Sequence, residues 1–202
     1  MRTLKKDSRQ QAHKHELKDR WWALHGVPTV VVKLDFGDYM VDGSNLSIDT
    51  KRSIDEVASN ISREHARFKR EILRARDAGY RLVILIENRE NVHELADLSG
   101  WTNGHCTKCK YRRECDPHDL KSTCKRHGTK KPIQGEQLAK AMQTMSDKYG
   151  VRFEFCHPEL SARRICELLG IHVDWLCCDC YMFASCLESE ETKKMCDRGC
   201  PF

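Results

Sequence analysis

The sequence contains no long hydrophobic run: nothing in its 202 residues approaches the roughly 20 consecutive apolar residues that a membrane-spanning helix needs. The N-terminal segment MRTLKKDSRQ lacks the apolar centre of a secretory signal. Charge of neither sign dominates, since the net charge is +5 with 32% charged residues. These absences argue against a membrane or secreted protein. We therefore expect a globular chain, without a membrane partner, in the cytoplasm or associated with the nucleoid.

Cysteine is abundant, with 12 residues in the chain. In a reducing compartment such a number indicates metal binding more than a disulfide framework. Two segments repeat nearly the same spacing, which predicts two sites of the same kind. The first site comprises Cys106, Cys109, Cys115 and Cys124, and the second Cys177, Cys180, Cys186, Cys196 and Cys200. Four thiolates suit structural Zn²⁺, and a [4Fe–4S] cluster is the alternative because it takes the same ligands.

The order of predicted elements is that of an α/β domain. Apolar runs predict strands over 2–6, 27–34, 80–87 and 151–156, with the 27–34 run buried. Helical spacing predicts helices over 13–25, 54–78, 134–149 and 159–169. Strands alternating with helices predict three layers around a mixed sheet. We expect one α/β domain over 1–104 and 132–173, a Cys-rich insertion over 105–131 and a Cys-rich tail over 174–202.

Positive charge is concentrated in the insertion. Residues 105–131 contain nine Lys or Arg residues against three acids. This pattern is typical of a segment that contacts a polyanion, and the alternative is a solvated loop. The tail has six acids against three bases from Asp174 onward, so we expect it to form a cap or to contact another protein subunit.

The segment FGDYMVDGSNLSIDTKRSID, residues 36–55, reads as a hairpin that leads into a helix. Side chains alternate along a strand, so Asp49 and Lys51 share one face. Paired carboxylates bind Mg²⁺ or Mn²⁺, and a neighbouring lysine can balance negative charge on a reacting phosphate. An ordinary solvent-facing strand pair is the alternative, because an acid two residues before a lysine is common.

The same segment resembles the nuclease domain of XPF-type excision-repair endonucleases, a branch of the PD-(D/E)xK superfamily. That family has Gly-Asp, a variable gap, Glu-Arg-Lys, three residues and Asp. This chain has Gly37-Asp38, then Asp49-Thr50-Lys51, then Asp55, preceded by Asp7-Ser8-Arg9-Gln10 where the family has Asp-x-Arg-Glu. The resemblance covers residues 3–90 and, as the closing part of the domain, 134–169. It implies a restriction-endonuclease-like core.

By this resemblance, Asp38 and Asp49 are metal ligands, Lys51 is the catalytic lysine, and Asp7 and Asp55 are supporting acids. The implied activity is metal-dependent DNA endonuclease cleavage at branched or flapped DNA. The residues that we expect to contact DNA lie after the hairpin and in the insertion: Arg52, Arg63, Arg67, Arg70, Lys108, Lys110, Arg112 and Arg113.

The chain departs from the family pattern at three positions. Asp49 replaces a glutamate, Thr50 an arginine and Gln10 an acid. These changes leave open a catalytically inactive, nuclease-like module that binds DNA or serves as a scaffold. A third alternative is a RecB-like nuclease that acts on DNA ends, because Cys-x2-Cys-x-Tyr-x3-Cys over 106–115 resembles the cluster-binding segment of such enzymes.

Overall fold

A computed structural model describes residues 2–10 and 15–173 of the chain. The predicted second cysteine site and the rest of the tail, 174–202, lie outside the described residues. The strands are β1 (Leu4–Asp7), β2 (Thr29–Val32), β3 (Tyr39–Val41), β4 (Leu46–Lys51), β5 (Arg81–Glu87) and β6 (Arg152–Cys156). The helices are α1 (Glu16–Leu24), α2 (Ile54–Ser62), α3 (His65–Asp77), α4 (Gly104–Thr107), α5 (Gly135–Tyr149) and α6 (Ser161–Leu169), with 3₁₀ turns at Leu95–Gly100 and Pro158–Leu160.

The strands form one six-stranded mixed sheet in the order β2-β1-β3-β4-β5-β6. β1 is parallel to β2 and antiparallel to β3, and β3 and β4 form the predicted hairpin. β4, β5 and β6 run parallel, as the helical connections between them require. The predicted mixed sheet is therefore confirmed.

Two hydrophobic cores cover the two faces of the sheet. Ile84 and Ile86 of β5 pack with α2, α3 and α5, whereas Val83 and Leu85 pack with α1 and α6. Because both faces of β5 are covered, its sequence is apolar almost throughout. Helices on both sides of the sheet confirm the α/β prediction. Whether the cysteine segments bind metal remains a prediction.

The prediction that the 27–34 run forms a buried strand is wrong. β2 is shorter, and it lies at the sheet edge with Val30 and Val31 exposed. The spacing of Leu17, Trp21 and Leu24 at i, i+4 and i+7 also predicts the wrong buried face for the first helix, because Leu17 and Leu24 are exposed while Trp22 is fully buried. The β-branched run does not reveal which strand the topology leaves at the sheet edge.

The helix predicted over 54–78 is broken into α2 and α3 at Arg63 and Glu64. The Ser62 hydroxyl donates to the Ala58 carbonyl, and the Glu64 N–H donates to the Ser59 carbonyl at 3.2 Å instead of to its normal helical partner. Such side-chain competition for backbone carbonyls bends helices. The predicted N-cap at the other end is confirmed, since Ser53 accepts a hydrogen bond from the Glu56 N–H.

The insertion leaves the core between Asn103 and Gln134, whose side chain is buried. The Asn103 N–H donates to Gln134 Oε1 at 3.1 Å, so the two ends of the insertion lie side by side. Gly135 then begins α5 directly against the Leu98 and Trp101 carbonyls, where a Cβ atom would overlap with the backbone. A glycine is required there because the two backbones approach so closely.

Candidate active site and its surroundings

The predicted catalytic residues lie at the end of the β3–β4 hairpin that faces the start of α2. Lys51 Nζ is 2.7 Å from Asp49 Oδ2, and both side chains are almost fully buried, at 12% and 10% exposure. Asp49 and Lys51 therefore share one face of β4, as the period-two spacing predicts. No well-aligned hydrogen bond reaches Asp49 Oδ2, which leaves the ion pair as its partner within the described residues.

Asp38 lies across the hairpin, where the pairing of Tyr39 with Ile48 places it beside the end of β4. Its Oδ2 accepts two hydrogen bonds from Thr50, one from the backbone N–H at 2.8 Å and one from the hydroxyl at 2.5 Å. Gly37 precedes Asp38 with a φ of +64°, and its Cα lies so close to Ser47 and the Ile48 carbonyl that a side chain would collide with them.

Burial raises the pKa of Asp49 to about 7; the charge of Lys51 opposes this shift and that of Asp38 adds to it. Burial on its own would lower the pKa of Lys51, but the neighbouring Asp49 carboxylate raises it above the ordinary value. The lysine is therefore protonated at neutral pH, and the aspartate is poised to lose its proton. Carboxylates such as those of Asp38 and Asp49 are groups through which proteins bind divalent cations.

The two supporting acids point elsewhere. The Asp7 N–H donates to the Asp38 carbonyl, but the Asp7 carboxylate accepts from Arg9 and from the Leu34 N–H. Asp55 accepts from the Gly104 N–H at 2.8 Å, and so connects the start of α2 to the insertion. The structure thus pairs Asp49 with Lys51 and places Asp38 close enough for its charge to act on Asp49, and it directs Asp7 and Asp55 to other partners.

Glu71 is a residue of this site that the sequence analysis did not identify. It lies on α3, and its charge acts on both Asp49 and Lys51. The helical spacing contained a signal for it, because Phe68 and Ile72 are buried and Glu71 lies at the border of that buried stripe.

A second polar group on the α1 side of the sheet was also missed. Lys18 Nζ and Glu87 Oε1 form a buried ion pair at 2.5 Å. Nearby, His15 Nδ1 and the Tyr39 hydroxyl are 2.6 Å apart, and burial lowers the pKa of His15 and raises that of Tyr39. The position of Glu87 at the end of an apolar strand was the one sequence signal for this group.

All eight residues predicted to contact DNA are exposed. Arg63, the residue that follows α2, lies 3.1 Å from His105 Nε2, so the end of α2 and the insertion meet on the same side of the molecule. Arg67 forms an ion pair with Glu64. Within the described residues, no acidic side chain forms an ion pair with Arg52, Arg70 or Arg113. Lys131 lies inside the insertion, where its ammonium contacts the Asp116 and Asp119 carbonyls and the Ser122 hydroxyl.

The four cysteines of the first predicted site line a common cavity of about 320 Å³. Gln134 Nε2 lies 3.4 Å from Cys106 Sγ, and burial raises the pKa of the Cys106 thiol, with the other three thiols adding to the shift. Across residues 2–10 and 15–173, no three His, Cys, Asp or Glu side chains are arranged so that they could hold one metal ion. Cys156 and Cys166, by contrast, are buried in the core as predicted.

No helix in the described part of the chain is long and apolar enough to cross a membrane.

No family model and no curated protein match this sequence. Among solved structures, the chain is similar to XPF from Aeropyrum pernix, with 17% identity and a TM-score of 0.51 over 83% of this chain and 65% of that chain. It also matches XPF from Aeropyrum pernix in a complex with DNA, with 14% identity and a TM-score of 0.46 over 83% of this chain and 64% of that one. The chain thus spans a little under two thirds of the length of these structures. At the level of the fold the predicted resemblance is confirmed: this chain has a mixed-sheet α/β fold similar to that of XPF from Aeropyrum pernix.

Proposed function

We propose that this protein is a divalent-metal-dependent DNA endonuclease. The observation that carries the proposal is the buried ion pair of Asp49 and Lys51, with Asp38 close enough for its charge to act on Asp49. A lysine and a carboxylate on one strand face, next to a second carboxylate, are the groups that phosphodiester hydrolysis requires.

Asp38 and Asp49 would hold Mg²⁺ or Mn²⁺, ions that proteins bind through one or two carboxylates together with water and phosphate oxygens. When bound, the ion supplies charge neutralisation and a more acidic water molecule. The chain's own groups do the rest. Thr50 fixes the Asp38 carboxylate through two hydrogen bonds. Lys51 keeps its proton because Asp49 raises its pKa, so its ammonium can balance negative charge that develops on a phosphate.

DNA binding would use the basic residues of the insertion together with Arg52 and Arg63, which flank α2, and those of α3. The hydrogen bond between Arg63 and His105 and that between Asp55 and Gly104 fix the insertion against α2. A phosphate backbone that follows this surface passes the end of β4, where Asp49 and Lys51 lie. Such contacts are electrostatic and sensitive to salt, and they carry no sequence information.

We include in this proposal a preference for branched or flapped DNA. It rests on an analogy, the resemblance of the hairpin motif to that of XPF-type nucleases. An enzyme of this kind would act inside the cell, in the cytoplasm or on the nucleoid. A contact with another protein subunit through the tail is proposed from its acidic composition alone.

A specific observation favours the second candidate, an inactive nuclease-like module. Asp38 is already engaged by Thr50, and Asp49 by Lys51, with little of either β4 side chain exposed. In such a module these contacts would stabilise the hairpin, and the basic surface would bind DNA without cutting it.

The test compares the full chain with Asp49→Asn and Lys51→Met on labelled linear, flap and four-way junction DNA, in Mg²⁺, Mn²⁺ or EDTA. The matched control is Asp77→Asn, an exposed acid on α3 that pairs with Arg76. We expect cutting that needs the metal, falls at least about 100-fold in both active-site variants and persists in the control. Equal cutting by Asp49→Asn would contradict the enzyme. DNA binding without cutting by the unmodified chain would support the inactive module.

A further inference from the structure

The cavity at the base of the insertion is a separate feature from the proposed nuclease site. Its volume is about 320 Å³, and its wall includes all four cysteines of the first sequence motif: Cys106, Cys109, Cys115 and Cys124. These residues come from a 19-residue stretch that is made mostly of turns, so the turns bring four thiols to the wall of one cavity. That convergence needs an explanation, because free thiols have no reason to surround a common cavity.

A single zinc ion fits this arrangement poorly. In a Cys₄ zinc site each sulfur is about 2.3 Å from the metal, so the sulfurs lie only about 3.8 Å apart and enclose no cavity. Here no three of the thiols and neighbouring His, Asp or Glu side chains in the described residues are arranged to hold one ion.

We propose that this cavity binds a [4Fe–4S] cluster through the four cysteines. In such a cluster each cysteine binds a different iron, so the four sulfurs stand apart around a compact inorganic body instead of meeting at one point. On ligation each thiol loses its proton, and four sulfur–iron bonds replace four sulfur–hydrogen bonds.

The surroundings of the cavity suit an anionic, sulfur-ligated group. Gln134 directs its Nε2 to Cys106 Sγ at 3.4 Å, and hydrogen bonds to ligand sulfurs are a usual means of stabilising a cluster. Basic residues dominate the charged part of the wall, against one acid, Asp55; they are Arg63, Arg112, Lys125, Arg126, Lys130 and Lys131. They would compensate the negative charge that four thiolates give to the cluster.

The experiment must separate this site from the six cysteines of the tail. The full chain is produced in two versions. In the first, Cys177, Cys178, Cys180, Cys186, Cys196 and Cys200 are changed to Ser; in the second, Cys106, Cys109, Cys115 and Cys124 are changed to Ser. Both are purified without oxygen and reconstituted with ferric iron, sulfide and excess dithiothreitol, so that the thiol reductant supplies the two electrons that a cluster with two ferric and two ferrous ions needs. Iron, sulfide and zinc are counted per chain, and absorbance is recorded near 400 nm.

We expect about four irons and four sulfides per chain, with a band near 400 nm, in the version that keeps the insertion cysteines, and the other version measures separately what the tail cysteines bind. Far-UV circular dichroism checks that both versions are folded, and Cys156→Ser, a change at a buried core thiol, should leave the iron content unchanged. Zinc without iron in the first version would overturn the proposal, as would the absence of any bound metal. None of these measurements depends on nuclease activity, so the two proposals can fail independently.

Discussion

Thr50 donates both its backbone N–H and its hydroxyl to the same oxygen of Asp38, at 2.8 and 2.5 Å. The threonine replaces an arginine of the family motif, and its side chain belongs to the opposite face of β4 from Asp49 and Lys51. Thr50 therefore has a structural role, because it orients the Asp38 carboxylate from the face of β4 opposite to Asp49 and Lys51.

Thr50→Val should weaken the hairpin, because it removes the hydroxyl and keeps the shape. Hydrogen bonds to charged groups contribute about 1.5–3 kcal/mol, so we expect the free energy of unfolding to fall by roughly that amount in urea denaturation. Thr50→Ser should stay close to the original value. A double-mutant cycle with Asp38→Asn should give a coupling of about 1 kcal/mol, and no coupling would contradict the assigned contact.

Asp49 should make the stability depend on pH. Its pKa is raised by burial to about 7 in the folded protein. Between the ordinary carboxyl pKa and 7 the folded state thus binds more protons than the unfolded state, and the free energy of unfolding falls as pH rises through 7. Asp49→Asn should remove this fall. Urea denaturation in EDTA between pH 5 and 8 measures it, with His15 titrating alike in both proteins.

Metal addition completes that test. Mn²⁺ or Mg²⁺ binds the deprotonated carboxylate, so at pH 8 it should raise the melting temperature of the unmodified chain and not that of Asp49→Asn. An equal rise in both proteins would place the ion elsewhere.

The basic insertion should control the salt dependence of DNA binding. Changing Lys108, Lys110 and Arg113 to Gln removes three exposed charges, and each lost phosphate contact lowers the slope of log affinity against log salt by about 0.7–0.9. We expect a slope smaller by about two. The control changes Arg20, Lys33 and Arg152, which are exposed residues outside the insertion. An equal effect in the control would point to net charge alone.

Gln134 should be necessary for the attachment of the insertion. It is buried, accepts from the Asn103 N–H and donates to the Pro132 carbonyl at 2.7 Å. Gln134→Met keeps the volume and leaves the Asn103 N–H unpaired, which costs about 1–3 kcal/mol. Amide hydrogen exchange should accelerate over 103–107 and stay unchanged in β5. Unchanged exchange over 103–107 would contradict this role.

Gly37 and Gly43 offer a matched pair on the hairpin. Both have positive φ values, +64° and +70°, so alanine is strained at either position by about 1–2 kcal/mol. A Cβ at Gly43 meets open space, whereas one at Gly37 collides with Ser47 and the Ile48 carbonyl. Gly37→Ala should therefore cost about 1–3 kcal/mol more in urea denaturation. Equal losses would mean that the turn conformation alone matters.

The sequence predicts best where local pattern and tertiary role agree. The apolar run of β5 requires cover on both faces, and Leu138, Met142 and Met145 are buried in the phase that their spacing predicts. The alternation along β4 likewise placed Asp49 and Lys51 on one face.

What could not be predicted depends on distant partners. Val31 is exposed because β2 has no neighbour on one side, which no residue near it encodes. Lys18 and Glu87 are separated by a long stretch of chain and pair only after the sheet forms. Asp55 reads as a catalytic acid by motif, but it bonds Gly104 because the insertion folds back onto α2.

The hydrogen bond between Asn103 and Gln134 joins the two ends of the 30-residue segment that lies between them. Because the two ends of this segment lie side by side, the residues between them can be deleted, lengthened or replaced without separating the strands of the sheet. The cysteine segment could therefore be grafted onto a related scaffold that offers the same backbone N–H opposite a glutamine side chain followed by a glycine.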